Sequence, residues 1–156
     1  MDEVKHSRDC ANQLEIARHL RICDLHFIPV LSSRVNIDEY SKKIKQFAVT
    51  FEAWFGEELV GLVAVYRNVE LSEAFITSVS TIPGFRNMGI GHNLLSEAME
   101  FCYSSNMSRI ELEVNNQASE VISLYEKIGF QRSSLAENGV TKMNFIFKDF
   151  KEKHEQ

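Results

Sequence analysis

The stretch Ser80–Cys102, STIPGFRNMGIGHNLLSEAMEFC, leaves the chain few backbones to choose from. It leaves a β-branched segment, Ala74 to Thr81, which reads as a strand stopped by Pro83-Gly84. It ends in a helix over Ile90–Tyr103, because Ile90, Leu94, Ala98, Phe101 and Cys102 recur on one side. Between them, Arg86-Asn87-Met88-Gly89-Ile90-Gly91 holds two glycines and no carboxylate. A helix start presents unpaired N–H groups and about half a positive charge. Glycines there, lacking a Cβ, let an anion reach the peptide plane, and Arg86 adds a fork suited to phosphate. The same six residues also serve as a tight turn with a solvated arginine, so the motif alone leaves both readings open. The G-K-S/T of the nucleotide P-loop and the G-x-G-x-x-G dinucleotide fingerprint are both missing.

The periodicity elsewhere sets this unit in a larger frame. Asn12–Cys23 reads as a helix with Leu14, Ala17, Leu20 and Cys23 inward. Asp38–Ala48 reads as a second, capped by Asn36 or Asp38, with Tyr40, Ile44, Phe47 and Ala48 along one side. Phe51–Phe55 and Leu59–Arg67 form a hairpin around Gly56-Glu57-Glu58. Arg109–Val114 alternates as a strand, and Ala118–Ile128 is a helix stopped by Gly129. Phe130–Arg132 and Lys142–Phe147 are short strands around a turn at Glu137-Asn138-Gly139, before a charged tail from Lys148. No strand is legible before Asn12. The expected fold class is α+β, a mixed and mostly antiparallel central sheet flanked by helices, in one domain over residues 1–156.

Composition narrows the function classes. Seventeen Lys and Arg against 22 Asp and Glu give a net charge of −5, which argues against a broad nucleic-acid surface. Cys10, Cys23 and Cys102 are odd in number and widely spaced. They read as buried or half-buried thiols of a reduced, cytoplasmic protein rather than a disulfide or zinc framework. The polar first eight residues do not read as a signal peptide, and no apolar run is long enough to span a bilayer. No membrane or metal partner is expected.

Two separated motifs point further. Arg86-Asn87-Met88-Gly89-Ile90-Gly91, following ITSVSTIP, resembles the R/Q-x-x-G-x-G/A signature of the GCN5-related N-acetyltransferases, the GNAT superfamily. Asn115-Asn116-Gln117-Ala118 followed by Leu124-Tyr125-Glu126-Lys127-Ile128-Gly129-Phe130 resembles that family's N-x-x-A … LYEKxGF segment. The two stand in the family's order and together cover about Ser78 to Phe130. Asn87 occupies a place where many relatives carry glycine.

The resemblance implies the GNAT acyl-CoA N-acyltransferase fold and acetyl transfer from acetyl-CoA, a cosubstrate, to a primary amine. By it, the amides of Asn87, Met88, Gly89, Ile90, Gly91 and His92, with Arg86, bind the CoA pyrophosphate. The main chain of Val79 and Thr81 pairs with the pantetheine arm, and amides in that strand stabilise the thioester oxygen. Tyr125 matches the position that gives a proton to the leaving thiolate, although it also fits as a buried aromatic of its helix. Asn115 matches a residue that contacts CoA, and equally fits as a cap.

For the base, Glu70, Glu73, Ser78, Glu111 and Glu113 stand as alternatives, and His19, His26 and His92 read as isolated. The loop Phe27–Val35 shapes the acceptor region, where Ser32, Ser33 and Arg34 suit a polar or anionic molecule and Phe27, Trp54 and Tyr66 form walls. The expected acceptor is a small-molecule amine such as an amino sugar or amino acid. A non-catalytic acyl-CoA-binding module and a toxin acetylating aminoacyl-tRNA are the competing readings. Strand Lys142–Phe147 is the expected edge for a homodimer.

Overall fold

The computed structural model describes residues 3–133 and 138–147, so Glu137 of the expected turn and the tail from Lys148 lie outside the described residues. Seven strands form one sheet: β1 (Val4–Arg8), β2 (Val49–Phe55), β3 (Glu58–Asn68), β4 (Glu73–Thr81), β5 (Arg109–Asn115), β6 (Gln131–Arg132) and β7 (Val140–Ile146). Their order is β1-β2-β3-β4-β5-β7-β6. The β4–β5 pair is parallel, and the other neighbours run antiparallel.

Helices α1 (Gln13–Cys23) and α2 (Ile37–Phe47) cover one face; α3 (Ile90–Ser104) and α4 (Ser119–Ile128) cover the other. Strand β3 is sandwiched between them, which explains its unbroken buried run from Leu59 to Val65. Leu62 and Ala64 join Ile16, Leu20 and Ile44 in one core. Val63 and Val65 join Leu94, Leu95 and Ile110 in the other.

Four sequence expectations change. A first strand, β1, does precede the first helix and pairs with β2 along its whole length. It is a mostly exposed edge strand of sequence VKHSR, so no apolar alternation announces it. Its end is fixed instead by the buried Glu52 carboxylate, which accepts from the Ser7 hydroxyl and the Cys10 and Ala11 amides at 2.8, 3.1 and 2.9 Å. Leu14 and Phe47, expected inward, face solvent, and Ile16 takes the inward place on α1. Cys10 is exposed, whereas Cys23 and Cys102 are buried. Strand β7 is not an edge at Met143 and Asn144, where β6 pairs outside it.

Two details prepare the functional site. A Cβ on Gly61 would stand 2.6 Å from Ile90 Cγ2, so this glycine lets the first turn of α3 settle directly on β3. Strands β4 and β5 pair at Glu73–Arg109, Ala74–Ile110 and Phe75–Glu111, and their pairing ends there. Val65 pairs with Ile76 and Ala64 with Ser78, leaving Thr77 as an extra residue, a β-bulge that bends β4. The sheet therefore opens between the C-terminal halves of two parallel neighbours.

Candidate active site

The loop beyond β4 delivers the helix start that the sequence led one to expect. Gly89 occupies the cap position of α3 with φ 79° and no side-chain cap, and the first turn carries no acidic residue. Asn87 also adopts a left-handed backbone, φ 64°. Asparagine tolerates that region better than most non-glycine residues, so the turn forms without a glycine at this position. A Cβ at Gly89 or Gly91 would meet nothing closer than 3.9 Å, so both glycines leave open space. Among the described residues, the amides of Arg86 through His92 meet no protein acceptor, and the first helical bond runs from the Asn93 amide to Gly89. These amides are free for an external anion.

Arg86 is exposed, and its Nε donates to the Thr81 carbonyl at 3.1 Å, drawing the loop back onto the end of β4. The Ile82 amide donates to Val60 on β3 at 2.9 Å. By strand alternation the Ser80 amide points the same way, while the amides of Val79 and Thr81 point away from β3, toward the opened side.

Tyr125 lies on α4 in the core under this opening, with its ring 5.8 Å from that of Phe130. Burial pushes its phenol well above the ordinary value, so the proton stays on through neutral pH. Asn115 ends β5. Its Oδ1 accepts from the Gln117 amide at 2.8 Å, and its carbonyl accepts from Ala118 at 2.9 Å. It thus shapes the turn into α4, leaving its side-chain N–H₂ for another contact. Gly129 follows α4 at φ 124°, as the stop signal required.

The base candidates separate. Arg109 forms ion pairs with both Glu73 and Glu111. Glu70 and Glu113 are exposed and take part in no ion pair among the described residues.

The opposite face of β4 gathers groups that the sequence named only separately. His19, read as isolated, is buried. Its Nδ1 lies 2.8 Å from the Leu59 carbonyl and its Nε2 2.8 Å from the Ser80 hydroxyl. The carbonyl can only accept, so Nδ1 carries the proton and Ser80 donates to Nε2. Desolvation lowers the His19 pKa to about 4, keeping the ring neutral. Its spacing with Ile16, Leu20 and Cys23 on the inward side of α1 was the available signal.

Tyr40 of α2 donates to the Thr77 carbonyl at 2.8 Å, with the Thr77 hydroxyl 2.7 Å away. The Tyr66 and Ser78 hydroxyls are buried with no hydrogen-bond partner. Burial raises the pKa of Tyr40 and of Tyr66. Trp54, expected as a pocket wall, is half-buried and donates to Ser7 and Glu52 at 2.9 and 3.3 Å. A concavity of about 770 Å³ lies between α1 and the β2–β3 turn, lined in part by Glu15, Arg18, His19 and Trp54. It stands apart from the loop of free amides, which is an open surface.

Among the described residues, no cluster of three His, Cys, Asp or Glu side chains is placed to hold a metal ion. Among the described residues, no helix is long and apolar enough to cross a membrane.

The geometry agrees with comparisons to known proteins. The model of the acetyltransferase (GNAT) family matches residues 15–130, and the chain belongs to that family. A Bacillus subtilis (strain 168) protein named "Putative ribosomal protein bS18-alanine N-acetyltransferase" is 29% identical over 73 residues, covering 47% of this chain and 48% of the relative. The chain thus spans about half the length of this curated relative. Among solved structures, an IAA acetyltransferase from Bacillus cereus ATCC 14579 superposes with a TM-score of 0.69 at 20% identity. That match covers 92% of this chain and 99% of the other. A PaiA N-acetyltransferase from Thermoplasma acidophilum, solved in complex with coenzyme A, superposes with a TM-score of 0.72 at 14% identity, covering 92% and 99%. At these identities the structural matches establish a shared fold.

Proposed function

We propose that this protein transfers an acetyl group from acetyl-CoA to the primary amine of a small molecule, by direct attack. The observation that carries the reading is the row of free amides from Arg86 to His92, set beside a β4 edge that β5 has left unpaired. Their chemistry fits a diphosphate: backbone N–H donors, the positive end of α3, the Arg86 fork and no competing carboxylate in the first turn.

In this reading the amides of Asn87, Met88, Gly89, Ile90, Gly91 and His92 hold the pyrophosphate. Val79 and Thr81 offer main-chain groups to the pantetheine arm. The Thr81 carbonyl already accepts from Arg86, so the Thr81 amide is the freer partner. Asn115 contributes its side-chain N–H₂. The incoming ammonium first loses a proton, and its nitrogen lone pair then forms the new C–N bond. As the C–S bond breaks, Tyr125 gives its proton to the thiolate, and the second proton of the attacking nitrogen, released as the amide forms, restores the phenol. A phenol is protonated at neutral pH and so carries the proton that step needs.

Calorimetry with CoA and thiol release over a panel of amines test the proposal together. Micromolar CoA binding with thiol release for at least one amine supports it; absence of CoA binding defeats it. Tyr125→Phe separates an enzyme from a module that only holds acyl-CoA. The enzyme loses turnover and keeps its CoA affinity.

A further inference from the structure

The face of β4 that looks toward α2 carries a built polar cluster that acetyl transfer, as derived above, leaves unused. The Ser78 side chain is 5% exposed, and its hydroxyl has no partner. Beside it, the buried Tyr66 hydroxyl is also unpartnered, and Tyr40 reaches across from α2 to Thr77 at the bulge. A buried hydroxyl without a partner is costly, a penalty that a hydrogen-bonding ligand removes.

Two cations border the cluster. Lys43 Nζ lies 5.4 Å above the Tyr66 ring. Arg34 follows the short 3-10 turn Leu31–Ser33, and its charge acts on the Tyr40 hydroxyl. Both are exposed, and neither is among the ion pairs of the described residues. The acidic residues nearest them in sequence do not quench them. Asp24 is bonded to the Ser32 amide, Asp38 is paired with Arg21, and Glu39 forms no ion pair with either cation. The neighbourhood is therefore hydroxyl-rich inside and cationic at its border, although the chain as a whole carries a net charge of −5.

We infer that the acceptor of this acetyltransferase is a primary amine that also bears an oxyanion, a carboxylate or a phosphate, with Arg34 and Lys43 holding the oxyanion and the Ser78 and Tyr66 hydroxyls bonding the body of the molecule. The inference rests on the acetyl-transfer reading for its amine. It rests on this cluster alone for its charge. An oxyanion there gains charge-assisted bonds from a forked and a point donor.

Matched pairs of acceptors test it: β-alanine against β-alaninamide, and glucosamine 6-phosphate against glucosamine. Binding to the full chain is measured by calorimetry and turnover by thiol release with acetyl-CoA. The expected result is a preference of about ten- to a hundred-fold for the anionic member of at least one pair. Arg34→Gln and Lys43→Gln each reduce that preference about tenfold through KM, while the exposed Lys45→Gln leaves it unchanged. The pair that responds tells carboxylate from phosphate. Ser78→Ala raises KM for the same compound without changing the affinity for CoA.

The inference is overturned if the neutral members serve equally well, if a cationic peptide N-terminus is preferred, or if Arg34→Gln and Lys43→Gln leave the ratio unaltered. Binding of the anionic compound by a protein that binds no CoA defeats the acetyl-transfer reading and keeps the oxyanion site. CoA binding with indifference to acceptor charge does the reverse.

Discussion

The two faces of the sheet are built on different principles. On the α3–α4 face the groups we assign to the cofactor are backbone amides, freed because a helix starts where two glycines leave room. On the α1–α2 face they are side chains: His19, Tyr40, Tyr66, Ser78 and Ser80, gathered from two helices and two strands. The first kind of site tolerates most changes of side chain, provided none intrudes. The second depends on each of its members. Such a division suits a protein that binds one constant ligand and one particular ligand. It teaches that a main-chain site is written in short contiguous motifs, whereas a side-chain site is written nowhere in particular.

Substitutions that act on one face and spare the other put this comparison at risk. Tyr125→Phe is expected to have the largest effect, a fall in kcat of about 100-fold or more with CoA affinity unchanged. A loss confined to CoA affinity would mean that the phenol only packs. Gly91→Asp should weaken CoA binding about 100-fold, because a carboxylate then competes with the diphosphate. Its Cβ would meet nothing nearer than Thr81 Oγ1 at 3.9 Å, so the melting temperature should move little. Unaltered CoA affinity in calorimetry would place the diphosphate elsewhere.

The His19 prediction tests the other face by stability. Its folded pKa, about 4, lies below the ordinary 6.5, so the unfolded chain binds more protons between these values. Its stabilising contribution is complete above about pH 6.5, and falls by about 1.4 kcal/mol per pH unit as the pH drops toward 4. His19→Gln should flatten that slope in urea titrations; an unchanged slope would assign it to other groups. The smallest effect belongs to Asn87→Gly, which keeps the left-handed backbone and should leave CoA affinity within about twofold. Asn87→Val should lower stability by about 1 kcal/mol, since a β-branched residue resists a φ of 64°.

The difference between the faces also explains what could be read in advance. The loop, α3, β4, β5 and α4 were legible because each rests on local signals: two glycines, a Pro-Gly stop, clean alternation in RIELEV, and Gly129 at a left-handed end. β1 was not, because an exposed edge strand has no apolar alternation, and Glu52 fixes its end across more than 40 positions of sequence. Leu14 and Phe47 matched a helical stripe yet face outward, because the burial of α1 and α2 is set by how those helices meet each other and β3. Tyr66 was read as an acceptor wall, but the burial of its hydroxyl and the extra residue, Thr77, on the neighbouring strand appear only once β3 and β4 pair.

The sequence by itself determined the helix start with its free amides, the motif order that identifies the family, and the layout of most elements. These follow from interactions within a few residues, where backbone geometry and side-chain volume act directly. The tertiary structure alone decided where β4 and β5 part, which hydroxyls are stranded without partners, and that His19 lies neutral behind Ser80. Those properties arise when distant segments remove one another from water, and no stretch of chain carries the desolvation that its neighbours will impose.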